Sequence, residues 1–197
     1  GSGATAAINK IIDIMNLRLP ADLDQRYQLA SAIPETERPV VFIGPYEHHS
    51  NELPWRESLC TVEVIPLDAQ GAIDQQALAA ALEKHEERRH KIGSFSAASN
   101  VTGVKSDVSG ITRLLKQHGA LAFWDYAAAG PYVAINMNGA DPLDAIFLSP
   151  HKFVGGPGTP GVLVAKGALF QNRVPALVGG GTVSWVNSTA HVYATDV

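Results

Sequence analysis

The stretch Ser149-Pro150-His151-Lys152-Phe153-Val154-Gly155-Gly156-Pro157-Gly158 sets one lysine between an apolar run and a glycine-rich turn. A lysine there has a partly buried stem and room for a bulky partner beside its amine. Such an amine attacks a carbonyl when burial or neighbouring cations disfavour the ammonium form. A second residue with chemistry, Asp125, ends the apolar run Leu121-Ala122-Phe123-Trp124 and could keep a pyridine-type nitrogen protonated. A third feature, Gly1-Ser2-Gly3-Ala4-Thr5, runs into a helix-period segment. It offers a dianion free backbone N–H groups, hydroxyls and the positive end of a helix dipole.

These residues need elements to hold them together, and the hydrophobic pattern supplies candidates. Ala7, Ile8, Ile11, Ile12 and Met15 recur at the spacing of one helical face, predicting a helix from Ala4 to Leu17 that Pro20 closes. Asp74 caps a second predicted helix, whose apolar side is Ala77, Leu78, Ala81 and Leu82. Asp107 to His118 forms a third, with Val108, Ile111, Leu114 and Leu115 facing inward. Strands are expected at Val40–Ile43, Thr61–Ile65, Lys91–Ser96, Leu121–Trp124, Ala145–Leu148 and Gly161–Ala165. Strands alternating with helices in this way predict an α/β domain with a mostly parallel sheet.

In such sheets, ligands bind outside the carboxyl ends of the strands. The polar residues just after the predicted strands are Glu47-His48-His49-Ser50-Asn51, Ser99-Asn100, Asp125 and Ser149-Pro150-His151-Lys152. All of them belong at the same sheet edge.

Composition narrows the class. The 197 residues are 46% hydrophobic and 17% charged, with a net charge of −4. That suits an ordinary globular domain with a sizeable core and argues against nucleic acid as the main partner. The densest charge run, Glu83 to Lys91, has mixed sign and is expected on the surface, with His85 and His90 solvated. The single Cys60 cannot form an intrachain disulfide and reads as packed rather than reactive. No run is long and apolar enough for a membrane span and no signal-peptide pattern opens the chain, so the expected compartment is cytoplasmic. His48-His49 lacks further ligands at zinc spacing, and no metal is expected.

A Schiff-base lysine, a carboxylate for a pyridinium nitrogen and a phosphate cradle are together what pyridoxal 5′-phosphate requires of a protein. The motifs carrying them resemble the class V aminotransferase and cysteine desulfurase group of fold-type I pyridoxal phosphate enzymes. Gly1-Ser2-Gly3-Ala4-Thr5 is similar to that family's phosphate-loop segment, and Glu47-His48-His49-Ser50-Asn51-Glu52-Leu53-Pro54-Trp55 to its "EHHxNxxPW" stretch. Ser99-Asn100-Val101-Thr102-Gly103 resembles the segment whose asparagine lies near the ring hydroxyl, and Ser149-Pro150-His151-Lys152 matches "SxHK". Gly179-Gly180-Gly181-Thr182 is like the glycine-rich segment that reaches a neighbouring subunit's cofactor.

The resemblance implies a three-layer α/β/α cofactor-binding large domain over residues 1–197, cut at both ends and without the smaller C-terminal domain. It implies that Lys152 carries the internal aldimine, that Asp125 pairs with the ring nitrogen and that His48 stacks on the ring. Asn100 would sit near the ring hydroxyl. Ser2, Gly3, Ala4, Ser149 and His151 would hold the phosphate, and Thr182 would reach across from the partner of a homodimer with shared sites. The substrate would be a small-molecule amino acid, undergoing transamination or desulfurase- or selenocysteine lyase-like chemistry. Epimerisation, elimination, or a non-catalytic binding or assembly domain are the alternatives. One departure stands out: Ala128 occupies the position where many relatives place a glutamine against the ring oxygen.

Overall fold

The apolar runs of the sequence become the strands of one twisted sheet. In the computed structural model, which describes residues 2–194, these are β1 (Val40–Ile43), β2 (Thr61–Val64), β3 (Lys91–Ser96), β4 (Leu121–Asp125), β5 (Ala145–Leu148) and β6 (Val162–Ala165). Their order across the sheet is β2-β1-β3-β4-β5-β6. The first five run parallel and β6 is antiparallel to β5. Parallel strands need long crossovers, and α4 (Gln75–Lys84) and α5 (Val108–Gln117) lie in two of them, between β2 and β3 and between β3 and β4. The single-turn α3 (Leu53–Arg56) lies between β1 and β2, whereas α1 (Ala4–Ile14) and the shorter α2 (Ala21–Tyr27) precede β1.

Successive residues of a strand face opposite sides, so each central strand feeds two cores. Val40, Phe42, Phe95, Trp124 and Ile146 pack against Leu78 and Leu82 of α4 and Ile111 and Leu115 of α5. Val41, Ile43, Ile92, Phe123 and Phe147 pack against Ile8, Ile11 and Ile12 of α1 and Trp55 of α3. The result is the three-layer α/β/α arrangement expected from the sequence, with a mixed and mostly parallel sheet.

The expected caps form. Asp74 Oδ1 accepts from the N–H groups of Gln76 and Ala77 at 2.9 and 3.0 Å, and Asp107 Oδ1 from that of Gly110 at 2.9 Å. The first helix is shorter than its apolar pattern suggested. It stops at Ile14, because the chain turns off through Met15 and Asn16, and Asn16 takes the left-handed conformation (φ 56°) that asparagine tolerates. Besides the single-turn α3, two elements were not anticipated. One is α2, which buries no residue and so leaves no apolar stripe to read. The other is an exposed hairpin, β7 (Val183–Val186) with β8 (His191–Tyr193).

The charged segment after α4 departs from the surface reading at two residues. Arg88 is buried because its guanidinium donates to the carbonyls of Glu35 and Arg38 at 2.7 and 2.9 Å. The side chain of His85 is only 12% exposed, paired with Glu63 on the edge strand β2 and packed edge-on against Phe42. His90 is exposed, as expected.

One buried polar contact locks α5 to the sheet: the Trp124 indole N–H donates to Thr112 Oγ1 at 2.9 Å, with both residues fully buried. Thr112→Val keeps the shape and strands the indole N–H. The expected loss is about 1–3 kcal/mol in urea unfolding of the intact protein.

Candidate active site

The carboxyl ends of β1, β3, β4 and β5 converge on a cleft of about 230 Å³. At its floor is Asp125, the last residue of β4, in register with Ser96 on β3 and Phe147 on β5. Its side chain is buried, and Oδ1 accepts from the Ala127 N–H at 2.8 Å. Burial pushes the carboxyl above its ordinary range, while that N–H and the positive charges of Lys152 and His48 pull it back.

Lys152 enters from β5. The strand ends at Leu148, and Pro150–Lys152 form a single 3-10 turn closed by hydrogen bonds from Lys152 N to Ser149 O and from Phe153 N to Pro150 O, both 2.9 Å. The glycine-rich segment then folds back under the turn. A Cβ on Gly156 would sit 1.9 Å from the Pro150 carbonyl oxygen, so only glycine fits. Lys152 and His151 are exposed, and both line the cleft.

The third wall is the start of α1. Gly3 has a positive φ of 61° and no side chain to cap the helix, and the first turn holds no acidic residue. The positive end of the helix is therefore not neutralised locally. Its Ala4 N–H donates to the buried Ser149 Oγ at 2.9 Å. Gly3 packs so tightly that a Cβ there would meet His151 Cε1 at 2.5 Å and Ser149 Oγ at 2.9 Å. Residues from the two ends of the sheet's sequence thus form one cradle. Gly1, the first residue of the phosphate-loop segment, lies outside the described residues.

From β1 comes the segment carrying His48, an exposed ring that lines the cleft and accepts from the Ser50 N–H at Nδ1 (3.1 Å). Asn100, beyond β3, and Ala128, beyond β4, line the cleft as well. Ser2 is not among the cleft-lining residues but adjoins Gly3 in the cradle. Thr182 is also outside the cleft of its own chain: it closes a turn with Gly179 just ahead of the β7–β8 hairpin.

Sequence reasoning missed Glu47 as a site residue, although it stands just ahead of His48 and after β1. Its carboxyl accepts four hydrogen bonds. The Gly44 and Ser96 N–H groups donate to Oε1 at 3.3 and 3.0 Å, and Ser96 Oγ and Asn51 Nδ2 to Oε2 at 2.6 and 2.8 Å. Asn51 Oδ1 in turn accepts from Trp55 Nε1 and Ser94 Oγ at 3.2 and 2.6 Å. Glu47, Asn51 and Trp55 therefore act as one network beneath the cleft. Burial raises the Glu47 carboxyl to about 7, with the nearby Asp125 adding to the rise against its hydrogen bonds. Cys60, by contrast, stands ahead of β2 and does not line the cleft, and burial pushes its thiol to about 11.

Comparison with known proteins now decides the family. The profile of the family described as Aminotransferase class-V matches residues 28–196. The chain belongs to this family. A cysteine desulfurase of Salmonella newport is 32% identical over 154 residues, which is 76% of this chain and 36% of that protein. The chain thus spans about a third of the length of the curated relatives it matches. Its fold is that of an apo cysteine desulfurase from Thermococcus onnurineus (TM-score 0.71, 23% identity, 98% of this chain and 44% of the other). It is equally that of an Escherichia coli cysteine desulfurase in an S-sulfonic acid form (TM-score 0.71, 22% identity, the same coverage). Class V aminotransferases are pyridoxal phosphate enzymes as a family. The residues present fit that cofactor: the uncapped helix start against Ser149 and His151 suits a phosphate, and the buried Asp125 below Lys152 suits a pyridine nitrogen.

Glu47 makes the site's stability pH-dependent. Its carboxyl is harder to ionise in the folded chain than in the unfolded one, so its contribution is complete below pH 4.5 and lost as the pH rises through about 7. Asp125 acts in the same direction. Glu47→Gln should remove its share of the slope, roughly 3 kcal/mol at most, when urea unfolding of the two proteins is compared at pH 5 and pH 8.

Proposed function

We propose that this chain is the cofactor-binding portion of a pyridoxal phosphate-dependent enzyme acting on an amino acid, of the class V aminotransferase or cysteine desulfurase/selenocysteine lyase-like kind. The observation that carries the reading is the convergence on one cleft of Lys152, the buried Asp125 and the α1 N-terminus with Ser149 and His151.

The residues divide the work by position. Ser2, Gly3, Ala4, Ser149 and His151 bind the phosphate and set the depth of the cofactor. Asp125, rigid at the end of a central strand, holds a proton on the ring nitrogen through a carboxylate that its environment keeps from water. When bound, the cofactor supplies an electron sink for a carbanion at the substrate's α-carbon. Lys152 anchors the cofactor through its amine, and once freed by substrate that amine moves the α-proton as base and then acid. The lysine sits on a single turn rather than in the strand, which leaves its head free to do both. His48 covers one face of the ring, and Asn100 reaches its hydroxyl. With Ala128 in the cleft, the ring oxygen receives no hydrogen bond from that position.

The second copy of a homodimer completes the site through Thr182. The exposed apolar hairpin beside it, with Trp185, Val186 and Val192 each more than half exposed, supports this arrangement. The 32% identity to cysteine desulfurases favours sulfur removal. Cys60 is not suited to accept that sulfur, since its thiol stays protonated and away from the cleft.

Adding pyridoxal phosphate to the intact protein should produce a visible absorption band that borohydride bleaches, fixing the cofactor to the peptide containing Lys152. Lys152→Ala should give neither band nor label, and should lose turnover by about 10²–10⁴-fold or more. Sulfide release from cysteine, against keto-acid release from other amino acids, assigns the reaction. A folded wild-type protein without the band sinks the enzymatic reading in favour of a binding or assembly domain.

A further inference from the structure

The hydrogen bonds around Glu47 settle where a proton on it can go. Asn51 cannot be turned round, because its Oδ1 accepts from the donor-only Trp55 Nε1 and its Nδ2 donates to the Ser94 carbonyl at 3.1 Å. That Nδ2 therefore also donates to Glu47 Oε2. Oε1 meets two backbone N–H groups, of Gly44 and Ser96, which can only donate. Of the four partners, the Ser96 hydroxyl alone can either donate or accept. When Glu47 is ionised, Oε2 takes the Ser96 hydrogen across 2.6 Å. When Glu47 is protonated, its hydrogen belongs on Oε2 and runs to Ser96 Oγ, which sends the Ser96 hydrogen to another acceptor.

Ser96 stands where that matters. It is the last residue of β3, in register with Asp125 on β4, and it lines the cleft. We propose that Glu47 and Ser96 form a proton-operated switch: with Glu47 protonated, the Ser96 hydroxyl donates to an acceptor on the ligand in the cleft, and with Glu47 ionised, that hydroxyl is turned away. The inference rests on the reading above, in which the ligand is pyridoxal phosphate seated against Asp125. Burial brings the Glu47 carboxyl to about 7, where the two forms exchange near neutral pH. The charged group that faces it from another element is Asp125, which disfavours a second negative charge. Lys152 and His48 face Asp125 in turn. The other groups bonded to Glu47, from Gly44, Asn51 and Ser96, are neutral.

The first measurement needs no cofactor. Carbon-13 NMR of the intact protein, labelled at glutamate carboxyls, should show Glu47 titrating near pH 7, its signal assigned by its loss in Glu47→Gln or Glu47→Asp. Ser96→Ala should raise that midpoint, because the bond from Ser96 to the charged carboxylate is stronger than the bond between the neutral groups. A Glu47 that keeps one form between pH 5 and pH 9, or a midpoint unmoved by Ser96→Ala, overturns the switch. Pyridoxal phosphate titrations at pH 6 and pH 8 then read it in the cleft. Ser96→Ala should weaken binding about fivefold at pH 6, the worth of one neutral hydrogen bond, and leave it nearly unchanged at pH 8. Glu47→Gln fixes the protonated arrangement, since its amide donates to Ser96 Oγ at either pH. In that background Ser96→Ala should cost about fivefold at both. An equal loss at both pH values with Glu47 present, or none at either, overturns the inference. A folded protein that takes up no pyridoxal phosphate sinks the proposed function, while a Glu47 midpoint that responds to Ser96→Ala leaves the shared proton in place.

Discussion

The site depends on one close approach between the two ends of the sheet's sequence. Gly3 lies against Gly161, where a Cβ would come within 1.8 Å of the Gly3 carbonyl oxygen, and against His151 and Ser149. Backbones can meet this closely only where side chains are absent. The contact pins the first turn of α1 to the end of β5 and the start of β6. The dipole of a helix is useful to an anion only within its first turn. Everything else in the cleft takes its place around this junction, and α1 reaches it because Ile8, Ile11 and Ile12 bury their whole face on the sheet.

A second constraint works beneath the cleft. A partly buried carboxyl and a fully buried amide stand there near the ends of β1 and β3, and such groups are costly unless every donor and acceptor is matched. Glu47 and Asn51 meet that demand by bonding to Gly44, Ser94, Ser96 and Trp55. Among the described residues, no buried side-chain nitrogen or oxygen lacks a partner. The same bonds fix the path of the chain between Glu47 and Trp55, and so the position of His48 within it. The motif's acid, asparagine and tryptophan are thus scaffolding, and its first histidine is the part presented to the cleft.

Rigidity and freedom are distributed accordingly. Asp125 is the last residue of a central strand, hydrogen-bonded on both sides through its neighbours, because a group that must stay in one protonation environment has to be shielded and still. Lys152 is carried on a one-turn loop with its head exposed, because a group that binds, releases and carries protons has to move. Both arise from strands that end one place apart in the sheet.

Much of this was legible in the sequence. The six strands, the faces of α1, α4 and α5, and the Asp74 and Asp107 caps follow from periodicity and local hydrogen bonding, which act over a few residues. The cleft-lining residues could be named because parallel strands end on one edge, and polar residues follow β1, β3 and β5 within a few positions while Asp125 ends β4. What the sequence could not decide depended on contacts between distant segments. Glu47 looks like any acid after a strand until Ser96 and Asn51 surround it. Arg88 and His85 look solvated until Glu35, Arg38 and Glu63 come to meet them. Thr5 Oγ1 meets Ser50 Oγ, and Ser50 Oγ meets His48 Nδ1, only because α1 and the segment after β1 come together in the fold. Local propensity and alternation determined the elements and the identities of the chemical groups. Only tertiary packing decided which polar groups lost their water and found each other, because desolvation is set by neighbours brought together in space.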